Sequence, residues 1–244
     1  MSNQPLCGKS ALITGGARRV GRGIALALAE AGADVALTFR TSQAEAVETA
    51  RAIENLGRRA LAVECDVRSE ASVRSAVAAV VGHFGRLDLV VNNAAVFESA
   101  QLDSLTLEQW NTVFETNARG PFLVAREALT ALRAVEGRII NIGSLGGMKA
   151  WAVHAHYCAS KAALHMLTRA MAKSFAPEVS VNCVAPGWIE LDEKPSGQSA
   201  HFAAKTPMRR NGSVDDVAQA VLFFATGPHF VTGQVLVVDG GLGL

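Results

Sequence analysis

Seven short apolar runs, rich in β-branched residues, alternate with longer stretches of helical pattern along the chain. They occupy residues 11–14, 34–39, 60–65, 87–92, 138–142, 179–184 and 234–238. Strands separated by helix-length segments predict a parallel sheet, because a parallel connection has to cross back over the sheet. The runs are almost continuously apolar, which is typical of strands buried on both faces. The sequence therefore predicts an α/β fold in which helices cover both faces of a seven-stranded parallel sheet.

The composition fits one domain of this kind and narrows the class of partner. The chain has 244 residues, of which 50% are hydrophobic, enough to bury the core of a single α/β domain over residues 1–244. The net charge is +1 and charges of both signs are interspersed, which argues against a nucleic-acid surface or a basic membrane patch. We therefore expect a small-molecule partner.

The apolar and cysteine patterns favour a cytoplasmic protein. No segment approaches 18 consecutive apolar residues, and the N-terminus lacks the apolar core of a secretory signal. The four cysteines are scattered, with neither zinc-ligand spacing nor the density of a disulfide framework. We expect reduced cysteines, no membrane span and no metal site.

A glycine-rich turn follows the first apolar run and opens a helical pattern. Residues 14–23 read TGGARRVGRG. Glycines at a strand-to-helix turn let the backbone approach a pyrophosphate, which then lies at the positive end of the helix dipole. The strict G-x-G-x-x-G spacing is absent, so the position of the turn, rather than the glycines alone, indicates a dinucleotide site. A plain tight turn is the alternative. The candidate contacts are Thr14, Gly15, Arg18, Arg19, Val20 and Gly21.

The residues after the second run indicate which nicotinamide cofactor would bind. NAD sites usually have an acid there to accept hydrogen bonds from the ribose, but this chain has Arg40 and Thr41 and no acid until Glu45. An arginine at this point can pair with a 2′-phosphate, and Arg18 can add a second positive charge. The sequence thus predicts NADPH or NADP+ as the cofactor, the alternative being that both arginines are solvated surface charges.

Two further strand ends carry candidate cofactor contacts. Asp66 and Val67 follow the third run, where the carboxylate could accept from an adenine amino group or could cap the next helix. Asn93 and Ala94 follow the fourth run, where small residues let the chain pass close beneath a flat ligand. Turn chemistry alone also explains an asparagine at this position.

A tyrosine and a lysine stand four residues apart, as Tyr157 and Lys161, with Ser144 at the end of a preceding strand run. Residues i and i+4 share one face of a helix, so the ammonium can sit beside the phenol and favour its ionised form. The serine hydroxyl could hold a substrate oxygen. This set of groups is suited to passing a proton to a developing alkoxide.

Taken in order along the chain, these residues resemble the short-chain dehydrogenase/reductase family over essentially the whole length. The ordered markers are Thr14-Gly15 to Gly21, Asp66, Asn92 to Ala95, Asn117, Ser144, Tyr157-x-x-x-Lys161, Pro186-Gly187 and Val238 to Gly241. The resemblance implies a doubly wound Rossmann-type fold and hydride transfer between a nicotinamide and a carbonyl or alcohol. It also implies cofactor contacts from Pro186, Gly187 and Ile189, although Leu191 stands where the family has a threonine.

The same resemblance implies roles for the catalytic candidates. Tyr157 would be the general acid/base, and Lys161 would lower the pKa of the phenol and hold the nicotinamide ribose. Ser144 would orient the substrate oxygen. Asn117 would relay protons through a water beside the lysine. A protein that binds the nucleotide without catalysis is the alternative, but such a protein would be free to lose the tyrosine or the lysine.

Two branches of the family compete for the substrate. The 3-oxoacyl-carrier-protein reductases share the serine at 144 and the tail at residues 231–235, but they typically carry arginines where this chain has Glu136 and Glu178. The pteridine reductases share Arg19 and a pterin-stacking phenylalanine at Phe97, but often have an aspartate in place of the serine. Phe97 and Trp188 are the substrate candidates, and ordinary packing is the alternative for Phe97.

Two larger features complete the predictions. Residues 186–207 read as a long irregular loop, which in a compact domain is often a substrate lid. The helices at about 113–132 and after Tyr157 have more apolar surface than one sheet face needs, and similar proteins pair such helices. We therefore expect a homotetramer, or else a homodimer, with these residues being simply core as the alternative.

Overall fold

A computed structural model describes residues 4–191 and 197–244 as a parallel sheet between two layers of helices. The strands are β1 (Ser10–Ile13), β2 (Asp34–Phe39), β3 (Ala60–Glu64), β4 (Leu89–Asn92), β5 (Arg138–Ile142), β6 (Ser180–Pro186) and β7 (Val235–Val238). They lie in the order β3-β2-β1-β4-β5-β6-β7, and every pair is parallel. The predicted α/β fold with a doubly wound, seven-stranded parallel sheet is confirmed.

The helices connect the strands in the alternating order that the sequence predicts. They are α1 (Arg19–Glu30), α2 (Gln43–Asn55), α3 (Glu70–Phe84), α4 (Leu107–Phe114), α5 (Gly120–Arg133), α6 (Ala155–Phe175), α7 (Gly197–Lys205) and α8 (Val214–Thr226). A π-helical turn, Glu115–Arg119, joins α4 to α5, and short 3-10 turns occur at Leu145–Gly147 and Ala152–His154. Among the described residues, no helix combines the length and the apolarity that a membrane span requires.

Each face of the sheet has its own hydrophobic core. Ile13 packs in a cluster with α1 and α8, whereas its neighbour Leu12 packs in a second cluster with α3, α5 and α6. Successive residues of a strand point to opposite faces, so one short apolar run supplies both cores. This double burial explains why the inner strands were recognisable as nearly continuous apolar runs.

A buried polar chain crosses from the sheet to α6. Asn92 of β4 and Asn141 of β5 are register partners, and the Asn92 Nδ2 donates to the Asn141 Oδ1 at 2.8 Å. The Asn141 Nδ2 then donates to the Thr168 Oγ1 at 2.9 Å. All three residues are buried, so these hydrogen bonds pair polar groups where water is excluded. Of the polar side-chain atoms in these three residues, the Asn92 Oδ1 alone has no hydrogen-bond partner among the described residues.

The predicted irregular stretch at 186–207 is wrong in part, because α7 occupies residues 197–205 of it. Residues 192–196 of that stretch lie outside the described residues. The Phe202 ring of α7 stacks on Trp188 with centroids 4.2 Å apart. Asn211 donates to the carboxylate of Glu190 at 3.1 Å and to the Ser199 Oγ at 2.7 Å. The helix is therefore stabilised by contacts with distant parts of the chain, which the local sequence does not show.

Candidate active site

The sheet order reverses between β1 and β4, and the candidate site lies at the carboxyl ends of these strands, where doubly wound folds bind ligands. The Thr14 Oγ1, at the end of β1, accepts hydrogen bonds from the backbone amides of Asn93 and Ala94, both at 3.0 Å. The Asn93 Nδ2 donates in return to the carbonyls of Thr14 and Gly15, also at 3.0 Å. Thr14 therefore lies beneath the site and links the loop after β1 to the loop after β4.

At Gly21 the glycine turn is packed too closely to admit a side chain. A Cβ on Gly21 would lie 2.2 Å from the Gly15 carbonyl oxygen and 2.6 Å from the Asn93 Nδ2. Gly15 itself has a φ of +64°, in the left-handed region that favours glycine. The turn is thus compact enough for the start of α1 to present its free backbone amides to the cleft.

A cleft of about 330 Å³ opens above this turn. It collects most of the residues that the sequence predicts for the cofactor, namely Gly15, Arg18, Arg19, Val20, Gly21, Arg40, Thr41, Asp66, Val67, Asn93 and Ala94. The structure does not place Thr14, Pro186, Gly187, Ile189, Tyr157 or Lys161 in its lining. Sequence reasoning missed further lining residues, namely Ala17, Thr38, Phe39, Ser42, Cys65, Ala95, Val96, Thr116 and Leu191. Each of these lies within one or two positions of a predicted residue along the chain, so extending each motif by a residue or two would have found them.

The lining of the cleft is strongly basic. Arg18, Arg19 and Arg40 line it, and Asp66 is the only carboxylate among the described lining residues. Arg68 binds that carboxylate through its Nε and Nη2, the shorter bond measuring 2.6 Å. This hydrogen bond is the main reason that the pKa of Asp66 is lowered, with the charges of Arg68 and Arg40 adding to the effect. The cleft therefore suits a ligand with several negative charges.

Asp66 does not cap the following helix, which was one of its two predicted roles. Ser69 is the N-cap of α3, and its Oγ accepts from the Ser72 amide. The Asp66 carboxylate instead accepts from the backbone and side chain of Arg68. Adenine recognition remains a prediction for Asp66.

The structure brings Ser144, Tyr157 and Lys161 together where β5 ends beside α6. The Lys161 Nζ donates to the carbonyl of Ile142 at 2.7 Å and lies 5.8 Å from the centre of the Tyr157 ring. Lys161 is 3% exposed, and burial lowers its pKa from 10.5 to about 8. Two ionisable groups of the predicted set thus share a site from which water is largely excluded.

The Tyr157 phenol departs from one expectation. Burial raises the pKa of Tyr157 above its ordinary value, and a hydrogen bond with the Ser144 side chain opposes that rise without cancelling it. The ammonium of Lys161 was expected to lower the pKa below this value. It lies several ångströms from the ring and donates to the Ile142 carbonyl instead, so desolvation of the phenolate dominates in the chain by itself.

Asn117 lies in the π-helical turn and is completely buried. Its Oδ1 accepts from the Val96 amide at 2.8 Å, and its Nδ2 donates to the Val96 carbonyl and to the Ser160 Oγ. Single π-turns inside helices are frequent at functional sites. This one connects the wall of the cleft, through Val96, to the residue before Lys161.

An aromatic wall surrounds Tyr157. The Phe97 ring is 59% exposed and meets Tyr157 edge to face, with centroids 4.8 Å apart. His154 stacks on Phe97 at 4.4 Å, and Trp151 lies nearly parallel to Tyr157 at 6.2 Å. The sequence indicated Phe97 and Trp188 but neither His154 nor Trp151, because nothing in the spacing shows which aromatic rings converge. Trp188 packs on Phe202 of α7, apart from this wall.

Metal-binding residues do not cluster in the described part of the chain. Over residues 4–191 and 197–244, no group of three or more His, Cys, Asp or Glu side chains is arranged to hold a metal ion.

Comparison with known proteins identifies the family. A family model described as "Enoyl-(Acyl carrier protein) reductase" matches residues 15–243. The chain belongs to the short-chain dehydrogenase/reductase family of oxidoreductases.

Similar proteins cover the chain almost end to end. A hydroxynaphthalene reductase of Aspergillus fumigatus is 36% identical, over 94% of this chain and 90% of that protein. A 3-oxoacyl-[acyl-carrier-protein] reductase of Synechocystis is 34% identical, over 97% and 98% of the two chains. The crystal structure of a short chain dehydrogenase from Burkholderia cenocepacia in complex with NADP is 36% identical, has a TM-score of 0.92, and matches over 98% of this chain and 100% of that one.

Proposed function

We propose that this protein is an NADP(H)-dependent reductase of a small carbonyl or ring imine, with Tyr157 as the proton donor. The observation that carries the proposal is the convergence of Ser144, Tyr157 and Lys161 at the end of β5. Such a set matches what proton transfer to a developing alkoxide requires, namely a donor, a nearby positive charge and a group that orients the substrate oxygen.

The residues of the cleft fit a phosphate-bearing dinucleotide. The glycine turn and the first amides of α1 would hold the pyrophosphate, and Arg40 with Arg18 would hold a 2′-phosphate. The only carboxylate of the described lining is already paired with an arginine, so it adds little repulsion. When bound, the reduced cofactor supplies the hydride. The NADP complex of the Burkholderia cenocepacia relative supports the same choice of cofactor.

The protonation states of the chain fit the reductive direction. Because burial raises the pKa of Tyr157, the phenol carries its proton at neutral pH and is ready to donate it. The Ser144 hydroxyl, which already interacts with the phenol, would orient the substrate oxygen toward that proton. The Lys161 ammonium lies 5.8 Å from the centre of the Tyr157 ring, and in this proposal it approaches the phenolate once the proton has left.

The experiment is a binding screen followed by turnover. Thermal shift with NADPH and NADH gives the cofactor, and oxidation of the preferred cofactor is then followed with ketones, quinones, acetoacetyl thioesters, dihydropterins and a polyhydroxynaphthalene. Tyr157→Phe is the matched control, because it should bind the cofactor and lose turnover. Normal cofactor binding without turnover of any substrate would contradict the proposal and favour a non-catalytic nucleotide-binding protein.

A second candidate, reduction of a pterin, is favoured by the aromatic wall. Phe97 is exposed and lies against Tyr157. Because His154 stacks on one face of the Phe97 ring, a flat substrate ring would stack on the other face. Turnover of dihydropterin in preference to acetoacetyl thioester would support this branch.

Reduction of a carrier-bound 3-oxoacyl group is the other branch. The Synechocystis relative is named for it, but Glu136 and Glu178 are exposed here and would repel an acidic carrier protein. Preferential turnover of a 3-oxoacyl carrier-protein conjugate would favour this branch despite the two acids.

We also propose that the protein assembles as a homotetramer. Met166 on α6 is 61% exposed and Phe122 on α5 is 41% exposed, so these two apolar side chains lie outside the core. Burying such side chains against a second copy would remove them from water. Light scattering should give a mass about four times that of the chain, and a monomer would refute the assembly.

A further inference from the structure

We propose that His165 is a positioning residue whose neutral imidazole holds the loop at residues 143–147 so that the Ser144 hydroxyl faces Tyr157. The inference rests on the proposed function, since it concerns the same pair of hydroxyl groups. His165 is absent from the family markers recognised in the sequence, and it lies one helical turn after Lys161 on the same face of α6.

The first observation is a hydrogen bond to the backbone of the serine. The amide of Ser144 donates to the Nε2 of His165 at 3.4 Å, and both residues are buried. An Nε2 that accepts a hydrogen bond leaves the ring proton on Nδ1, which fixes the tautomer. His165 and Lys161 thus bind the end of β5 at successive points, the lysine at the Ile142 carbonyl and the histidine at the Ser144 amide.

The second observation is the packing of the loop around the ring. A Cβ on Gly143 would lie 2.4 Å from the His165 Nε2, and a Cβ on Gly147 would lie 2.6 Å from its Cε1. The two glycines flank Ser144 along the chain, so the imidazole fills a space that only their missing side chains leave open. The loop therefore cannot shift toward α6 without colliding with the ring.

The third observation links the loop to the phenol. The Ser144 Oγ accepts from the Gly146 amide at 3.0 Å, which occupies one lone pair and leaves the hydroxyl proton for another partner. The hydrogen bond between Ser144 and Tyr157 lowers the pKa of the phenol against the effect of burial. If the imidazole sets the position of Ser144, then it acts on Tyr157 through that serine.

The lowered pKa of His165 agrees with its role as acceptor of the Ser144 amide hydrogen bond. Burial is the main cause that lowers its pKa to about 4, and the charges of Lys161 and Arg169 lower it further. The ring can therefore accept the amide hydrogen bond throughout the neutral range, and it adds no positive charge next to Lys161.

The test uses the fact that Tyr157 is the only tyrosine of the chain. After a rapid jump to alkaline pH, the near-ultraviolet absorbance of tyrosinate reports its ionisation before the protein unfolds, without substrate or cofactor. His165→Gln keeps an acceptor near the position of Nε2, whereas His165→Asn keeps one only near Nδ1, and His165→Leu keeps none. We expect the leucine and asparagine variants to raise the tyrosine pKa by about one pH unit, the equivalent of one hydrogen bond to a charged group. The glutamine variant should restore most of the original value.

Two controls separate positioning from general damage. His156, also on α6, is completely buried with no hydrogen-bond partner for either ring nitrogen among the described residues, so His156→Leu removes a buried imidazole without removing a hydrogen bond to Ser144. It should leave the tyrosine titration unchanged. In a Ser144→Ala background, His165→Leu should add nothing further.

Several results would overturn the proposal: an unchanged titration in His165→Leu, equal titrations in the glutamine and asparagine variants, or the same increase in the Ser144→Ala background. If the leucine variant does not fold, the glutamine and asparagine pair decides the matter. Where turnover is found, kcat of His165→Leu should fall about tenfold while the KM for NADPH stays the same. Failure of the proposed function would appear separately, as a lack of turnover in the unaltered protein, and would leave the titration result intact.

Discussion

Lys161 is a charge that the folded chain holds at a cost, so we expect its removal to stabilise the protein. Burial lowers its pKa from 10.5 to about 8, and the difference corresponds to about 3 kcal/mol of destabilisation while the folded-state amine is protonated. Replacing Lys161 by methionine also leaves the Ile142 carbonyl without its donor, which costs about 1 kcal/mol. Lys161→Met should therefore raise the free energy of unfolding by about 2 kcal/mol near neutral pH, while turnover is lost.

The pH dependence of this difference gives the decisive measurement. Between about pH 8 and pH 10.5 the unfolded chain keeps a proton on Lys161 that the folded chain has released, so the stability of the unaltered protein rises with pH. The variant lacks this increase, and its advantage should shrink and then reverse. Urea unfolding followed by circular dichroism at both ends of the range measures the difference, with the exposed Lys173→Met on the same helix as control. A variant that is less stable near neutral pH, or a difference that does not vary with pH, would refute the reasoning.

Three further substitutions test the cleft and its aromatic wall. Gly21→Ala should weaken NADPH binding more than about tenfold, because its Cβ would lie 2.2 Å from the Gly15 carbonyl oxygen; calorimetry measures this, and unaltered affinity would contradict the close approach. Arg40→Ala should raise the Kd for NADPH by about 10- to 100-fold, because a charge-assisted hydrogen bond is lost, and should leave the Kd for NADH nearly unchanged. An equal increase in the two Kd values would show that Arg40 does not bind a 2′-phosphate. Phe97→Ala should raise the KM for flat ring substrates but not for small ketones in steady-state assays, and a uniform change would assign Phe97 to packing alone.

The sheet was predictable because double burial leaves a strong signal in short strands. The run at 34–39 matches β2, and the run at 87–92 differs from β4 only at its start. There the backbone of Asp88 still hydrogen-bonds to Ser10 and Arg138 on the two neighbouring strands, and its carboxylate binds Arg86 and the Ser10 amide. Helix α7 was missed because prolines and serines surround it and its stability comes from the stacking of Phe202 on Trp188.

The sequence predicted which residues form the site, but not the direction in which the pKa of Tyr157 changes. Spacing alone placed Tyr157 and Lys161 on one helix face, and the end of β5 brought Ser144 to them. The direction of the change in the tyrosine pKa depends on burial and on where the ammonium hydrogen-bonds, and a sequence pattern shows neither. The same limit applies to His165, whose importance comes from two glycines that are distant from it along the chain.

The chain of side-chain hydrogen bonds from Asn92 through Asn141 to Thr168 also affects how strongly the register of β5 on β4 is specified during folding. A one-residue slip of β5 along β4 would turn the Asn141 amide to the opposite face of the sheet. Each amide stranded in that apolar layer would cost about 1–3 kcal/mol, whereas apolar residues would tolerate the slip more easily. The hydrogen bond from Asn141 to Thr168 can form only after α6 has docked on the sheet. It therefore favours the native register of β5 on β4 at the stage of folding when the sheet and α6 come together. The two asparagines would thus raise the free energy of near-native states in which β5 is out of register with β4.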